Sequence, residues 1–213
     1  VEVGLPPDLA ALFPDFLEET PGGEVPSSWS YEPTHKLLAL AYGKALRKND
    51  RTPGEVPVFG SNGRIGWHDR ALVQGPGIVV GRKGNPGTIT WTETACFPID
   101  TTFYVMSKRD PGDLWYLRYA LENLQLDRLA ADSAVPGLNR ELALSAPLLA
   151  PPTALTKAFA AVVRPLLRQQ QLGACQDGSL QRARDALLPQ LVEGLHCSSH
   201  RETRCSGRNN ERR

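Results

Sequence analysis

Cysteine is scarce in this chain. Four stand among 213 residues, at positions 96, 175, 197 and 205, and no two form a CxxC pair. With no signal-peptide pattern in the first residues, so sparse a set points away from the disulfide scaffolds of secreted domains and toward a reducing cytoplasm. No apolar run reaches the length that crosses a bilayer, so neither a transmembrane helix nor a membrane partner is expected. Bulk charge is missing too, the formal net charge being +1. The last thirteen residues hold five Arg and two Glu, which leaves residues 1–200 with 19 basic and 21 acidic side chains. A strong overall positive field is thereby excluded. Any nucleic-acid binding must come from local patches or from partners.

What is present is enough for a core. Hydrophobic residues make up 41% and charged residues 22%, which excludes a wholly disordered chain. The length suits one domain of ordinary size with an appendage, or two small units. The chain opens on Val1 rather than Met, and we expect it to be a segment of something longer.

The stretch GPGIVVGRKGNPGTITW, residues 75–91, has the look of a phosphate-cradling loop. A P-loop, however, needs Gly-Lys followed by a hydroxyl residue that opens a helix. Here Gly81 is followed by Arg82, Lys83 and Gly84, and the β-branched and aromatic run Thr88 to Trp91 favours a strand. The dinucleotide pattern fails for the same reason, since no helix follows the glycines. Two readings stay open: a hairpin whose glycines only make turns, and a hairpin that offers Arg82 and Lys83 to a nucleic-acid backbone.

Along the chain, Gly4 to Trp29 combines Pro-Pro, a short apolar turn and a Pro/Gly-rich stretch, which reads as a connector over 1–28. HKLLALAYGKAL, from His35 to Leu46, predicts a short helix. The period then changes to that of strands. VPVFGSNGRIGWH gives two strands around Ser61-Asn62-Gly63, GIVVG and TITW form a hairpin, and FPIDTTFYVM is a further strand. LWYLRYALENL, Leu114 to Leu124, predicts an amphipathic helix packed on the sheet. In DSAVPGLNRELAL, Asn139 is placed to cap a short helix. From Pro151-Pro152 onward a seam of three- and four-residue steps runs from Phe159 through Val163 and Leu166 to Leu187 and Leu191, with a polar centre around Gln170 and Asp177. It predicts a long helix over 151–194, half of a helix pair. Gly173 and Gly178 weaken its middle by about 1 kcal/mol each. Residues 195–213 carry no periodicity and are expected to be disordered.

Four ordered motifs, VPVFGSNGRIGWHD, GPGIVVGRKGNPGTITW, FPIDTTFYV and DSAVPGLNR, together resemble one target recognition domain of the specificity subunits of type I restriction-modification systems. The segment PPTALTKAF…RPLL…RDALLPQLVEG is similar to the spacer helix of that family. The resemblance covers about Gly4 to Gly194. It departs from the family in the Gly-containing spacer centre QQQLGACQDGS and in the tail. It implies an α+β fold: a twisted, mostly antiparallel β-sheet recognition domain with packed helices over 29–150, followed by a long C-terminal spacer helix. It further implies a non-catalytic DNA-binding protein that reads half of a bipartite target in double-stranded DNA. The implied partners are methyltransferase (modification) subunits and a motor-nuclease (restriction) subunit. S-adenosylmethionine, ATP and Mg are then expected on those partners, with no cofactor on this chain. A family member of full length has two recognition domains, so the resemblance implies that this chain is a C-terminal half or a half-length protein expected to join a second half-subunit through the spacer.

Base readout needs fixed donors and acceptors, and phosphates need cations. The candidates are Ser61, Asn62 and Arg64 at one strand turn, Arg82, Lys83 and Asn85 at the next, Lys44 and Lys48 in a basic run, Thr101 and Thr102 after Asp100, and Asn139 with Arg140 at a helix start. Each has a plainer reading. Asn62-Gly63 is a turn dipeptide, the basic run is a solvated face, the Asp100–Thr102 segment satisfies buried backbone groups, and Asn139 is a cap. Trp67, Trp91, Phe103 and Tyr104 read as core. No catalytic constellation stands out: the four His are scattered, and HCSSHRETRC matches no usual zinc spacing. Two other classes remain beside the DNA reader. One is a scaffold that pairs through its long helix without binding DNA, and the other is a nucleotide-dependent hydrolase built on the Gly-rich hairpin.

Overall fold

The computed structural model describes residues 7–20, 23–129 and 137–169. In chain order these form α1 (Pro7–Ala10), the hairpin β1 (Leu17–Thr20) and β2 (Gly23–Pro26), β3 (Ser30–Pro33), α2 (Thr34–Leu37), β4 (Leu38–Tyr42), β5 (Val56–Gly60), β6 (Gly63–His68), β7 (Gly77–Gly81), β8 (Ile89–Thr92), β9 (Phe97–Pro98), β10 (Thr102–Ser107), α3 (Leu114–Asn123), α4 (Arg140–Ser145), β11 (Pro147–Ala150) and α5 (153–169). Helices and strands are mixed, and the sheets are small and mostly antiparallel. The chain divides into two compact units, Val1–Val163 and Arg164–Arg213. The expected polar spacer centre, its glycines, the far end of the seam and the basic tail with HCSSHRETRC lie outside the described residues.

The strands do not make one sheet. Among the described residues they divide into β4-β10-β7-β8, β6-β5-β9, β1-β2 and β11-β3. The division arises in the stretch read as one strand, Phe97 to Met106. Phe97 and Pro98 pair parallel with β5. A turn then breaks the run, with Thr102 N donating to Ile99 O at 2.9 Å, and β10 resumes in the middle of the four-stranded sheet. One segment thus stitches two sheets together and leaves Asp100 and Thr101 at the crossing.

The second correction concerns His35 to Leu46. Leu, Ala and Lys are good helix formers and Ala is a poor strand former, so local propensity favours a helix. Only Thr34–Leu37 is helical, and Leu38–Tyr42 is strand β4. Five residues of β4 pair antiparallel with β10, from Leu38↔Ser107 to Tyr42↔Phe103. The alternation is that of a half-buried strand: Leu38 and Leu40 are 0% and 1% exposed, whereas Tyr42 at the end is 53% exposed. Gly43 then lets the chain close onto the β9–β10 turn, because a Cβ there would sit 2.1 Å from the Ile99 carbonyl oxygen.

The main core lies between the four-stranded sheet and the helices. Leu38 and Leu40 of β4, Ile78 and Val80 of β7, and Phe103 and Val105 of β10 meet Leu117 and Leu121 of α3. The predicted helix over 114–124 is therefore present and packs as its periodicity requires. It adds Trp115, whose ring lies 4.3 Å from that of Trp91. Strand β7 is buried on both faces, since Val79 points the other way into a smaller cluster with Phe59 and Cys96. Burial alone pushes the Cys96 thiol up to about 11, which keeps it protonated and makes it a packing group. The expected connector holds structure of its own: β1 and β2 pair from Leu17↔Pro26 to Thr20↔Gly23, and the Phe13 ring lies 6.1 Å from that of Trp29.

Polar contacts fix the first turns of α5. Buried Asp113 accepts from the Thr156 hydroxyl and lies 3.4 Å from Arg109 Nε. Arg109 in turn donates to Pro151 O at 3.1 and 3.0 Å. Beside them, Asp110 caps a 3₁₀ turn by accepting from Gly112 N at 2.7 Å, and it pairs with Lys157 at 3.1 Å. The Gly112 N–H first, and then Lys157, hold the Asp110 carboxyl below its usual range. A carboxyl whose folded pKa is depressed contributes stability above its unfolded value, about 3.9, and loses it as pH falls through the folded value. Asp110→Ala is accordingly expected to lower the melting temperature at pH 7, and by less as pH falls through the folded value. An equal drop at every pH would mean that the cap acts by packing instead of charge. Near α5, Phe13, Trp29, Tyr116, Leu155, Phe159 and Val162 line an apolar groove of about 330 Å³. The Tyr116 hydroxyl donates to Leu149 O at 2.6 Å, and burial pushes its pKa up to about 12.

Candidate nucleic-acid interface

Five loop segments meet at one end of the four-stranded sheet, and the β7–β8 loop is their hub. The N–H groups of Arg82 and Lys83 both donate to Thr101 O, at 2.9 and 3.1 Å. Arg82 O accepts from Leu138 N at 2.8 Å, and Lys83 forms a bridge with Gly137, just before α4. The Ser61 hydroxyl, from the β5–β6 turn, donates to Lys83 O. Lys44 bridges Ile99 at the start of the β9–β10 crossing. Backbone packing forces the loop into this form. A Cβ on Gly81 would lie 2.1 Å from the Asn85 carbonyl oxygen, and Gly84 holds φ at +82°, a region that side chains disfavour.

Two guanidinium groups converge on one ring at this end. Arg82 Cζ lies 4.9 Å from the centroid of the Tyr42 ring and 5.8 Å from that of Phe103. Its Nη1 donates to Asp100 O at 3.2 Å. Arg140 Cζ lies 5.7 Å from the Tyr42 centroid, and its Nε donates to Leu40 O at 2.9 Å. Tyr42 rests in turn on buried Phe103, with ring centroids 5.0 Å apart. Lys44 and Lys83 stand exposed beside this arrangement. Among the described residues, Arg82, Lys44 and Lys83 make no ion pair, and Arg140 meets only the exposed Glu141, at 3.3 Å.

The sequence-derived candidates therefore separate. Lys44, Ser61, Arg82, Lys83, Thr101 and Arg140 are brought together, with Asn62 and Asn85 exposed on the adjoining loop tips. Lys48 lies in an exposed 3₁₀ turn, Lys48–Asp50, and no hydrogen bond or ion pair ties it to the cluster among the described residues. Arg64 points from β6 onto Trp67, 4.8 Å from its ring. Thr102 must be struck from the list. It is 0% exposed and its hydroxyl donates to Ile99 O at 2.8 Å, so it serves the turn and cannot meet a base. Asn139 acts as a cap: its side-chain oxygen accepts from Glu141 N and Leu142 N at 3.0 and 3.2 Å. Trp67, read as core, is 48% exposed on β6, an edge strand. Tyr42 was missed because it fell inside the predicted helix. Read as a strand, LALAY would have set it at the sheet end beside Gly43.

Four backbone N–H groups of the Gly-rich loop are already in use. Gly81 N donates to Thr88 O at 2.8 Å and Gly87 N to Gly81 O at 2.9 Å, while Arg82 and Lys83 serve Thr101. A phosphate cradle requires such groups free and a helix behind them, and here β8 follows. Among the described residues, no three His, Cys, Asp or Glu side chains gather where they would hold a metal ion, and no helix is long and apolar enough to cross a membrane.

No protein-family model matches the sequence, and no curated protein matches it. Solved structures do match. The S subunit of a type I restriction-modification system from M. genitalium superposes with a TM-score of 0.61 at 19% identity, over 69% of this chain and 41% of that one. A chain from a structure described as the basis of complex assembly and conformational transition of the type I R-M system gives 0.53 at 17% identity, over 86% and 47%. The HsdS subunit from Thermoanaerobacter tengcongensis gives 0.50 at 18% identity, over 78% and 42%. The chain thus spans less than half the length of each of these structures. Over most of its own length it is structurally similar to S subunits of type I restriction-modification systems.

Proposed function

We propose that this chain is a sequence-specific DNA-binding specificity subunit, or half-subunit, of a type I restriction-modification complex. In this reading residues 29–150 are the target recognition domain, 1–28 the connector and 151–194 the spacer helix. The chain performs no reaction itself and works in the cytoplasm. It directs methyltransferase subunits, which carry S-adenosylmethionine, and a motor-nuclease subunit, which uses ATP and Mg, to one half of a bipartite duplex target. The observation that supports it most is the convergence of Lys44, Arg82, Lys83 and Arg140 at one end of a braced sheet, in a chain whose residues 1–200 are otherwise slightly acidic. Cations concentrated against a neutral background give local phosphate attraction without bulk adhesion.

Methylome sequencing of cells with and without the gene tests the proposal. A bipartite methylated-adenine motif that disappears with the gene is the expected result. In vitro, the chain assembled with its methyltransferase partner should bind duplex in a salt-dependent way. Lys44→Ala and Lys83→Ala together should weaken all duplexes alike and shallow the salt slope by about 0.9 per lost phosphate contact. An unchanged methylome would refute the proposal. A second reading, a pairing scaffold without DNA binding, draws on the apolar groove beside Phe13, Phe159 and Val162. It predicts a stable dimer that shifts no duplex even at low salt.

A further inference from the structure

Arg82 and the two lysines that flank it are held very differently. Lys44 and Lys83 are exposed, flexible point charges of the kind that track phosphates. Arg82 is immobilised. Its guanidinium lies over Tyr42 at 4.9 Å, Phe103 supports both, and the Asp100 carbonyl takes one hydrogen bond at 3.2 Å. That bond uses one of the five guanidinium N–H groups and leaves a planar fork of donors. No carboxylate among the described residues neutralises it. A fork fixed in this way has little rotamer freedom left to lose on binding, and its geometry matches a pair of in-plane acceptors.

In duplex DNA the base edge with two such acceptors is guanine, through O6 and N7 in the major groove. Adenine pairs its N7 with an amino donor, which repels a guanidinium. Resting on the DNA-reading function above, we propose that Arg82 is a base-reading side chain that selects guanine in the major groove, and that Tyr42 is its positioning residue. Arg140 is held against the same ring but spends Nε on Leu40 O and Nη1 on Glu141. It buttresses Tyr42 and has fewer donors to present outward. The remaining contact groups divide by the same logic. Ser61 is committed to Lys83 O and fixes the loop, whereas Asn62 and Asn85 stay exposed at the tips.

The test uses the full chain assembled with its methyltransferase partner and selects bound duplexes from a random pool. Wild type should enrich a half-site with at least one invariant guanine. Replacing that guanine by 7-deazaguanine, which lacks only the N7 acceptor, should cost about tenfold in affinity. Arg82→Met keeps much of the side chain's length but removes the donors, whereas a lysine could still donate to guanine. Arg82→Met should erase the preference at that position, bind the 7-deaza and normal duplexes equally, and keep the affinity for unrelated duplex and its salt slope. Tyr42→Phe retains the ring and should behave as wild type, whereas Tyr42→Leu should lose most of the discrimination with the fold intact by circular dichroism. If Arg82→Met leaves the selected site unchanged, or weakens every duplex alike, Arg82 does not read a base and the assignment fails while DNA reading stands. A wild-type assembly that selects no sequence overturns both.

Discussion

Phe103→Ala is expected to destabilise the folded chain by about 3–5 kcal/mol. The ring is 1% exposed on β10, which sits between β4 and β7, and it packs in the cluster shared with Leu40, Val80 and Leu121. Truncation removes the transfer free energy of the ring and leaves a cavity walled by strands that are tied into a ladder and cannot collapse. Domains of this size are stable by about 5–15 kcal/mol, so the change takes a large part of the total. Phe103→Leu refills most of the volume and should cost about 1.5 kcal/mol or less. Urea unfolding, with the slope of free energy against denaturant unchanged, measures both. The same cavity opens beneath Tyr42 and Arg82, so Phe103→Ala should also relax the base selection proposed for Arg82, at temperatures where the chain is still folded. A loss under 1 kcal/mol would show that the β4–β10–β7 layer does not depend on this ring.

Asp113→Ala is expected to cost about 3 kcal/mol, the low end for breaking a buried ion pair. Asp113 is 2% exposed, whereas the side chain of its partner Arg109 is 25% exposed and partly screened by water. The loss removes the carboxylate that faces both Arg109 and the Thr156 hydroxyl, on the helical turn that starts α5, and leaves Arg109 its bonds to Pro151 O and the Thr153 hydroxyl and Thr156 its bond to Thr153 O. Asp113→Asn keeps the shape and one acceptor and should cost less. A double-mutant cycle with Arg109→Ala isolates the pair, and hydrogen exchange over residues 153–163 reports whether these turns loosen first. Coupling below about 0.5 kcal/mol would mean that the pair is only a neighbour to the anchoring contacts of Pro151 and Thr153.

Elements whose signals are local were legible in the sequence. The Ser61-Asn62-Gly63 turn, the β7–β8 hairpin, the amphipathic α3 and the Asn139 cap each depend on residues within a few positions of one another. Of the residues that gather at this end, Lys44, Ser61, Arg82, Lys83, Thr101 and Arg140 were candidates from the sequence, and Ser61, Arg82 and Lys83 stood out because they sit in turns marked by glycine. Tyr42 was not, since LALAY is a better helix than strand until β10 supplies its ladder. For Thr102 the sequence left two readings, a base contact and a group that satisfies buried backbone, and the crossing at Ile99 decided for the second.

By itself the sequence determined the turns, the amphipathic helix, the near-neutral background and the cationic loops, since propensity, period and charge act over short spans of chain. Tertiary structure alone decided that one apparent strand serves two sheets, that an apparent helix becomes the edge strand β4, and that Arg82 and Arg140, 58 positions apart in the numbering, rest on a single tyrosine ring. Those outcomes rest on hydrogen-bond ladders and ring contacts between distant segments. Their free energy exists only once the segments are in place, so no local pattern records it.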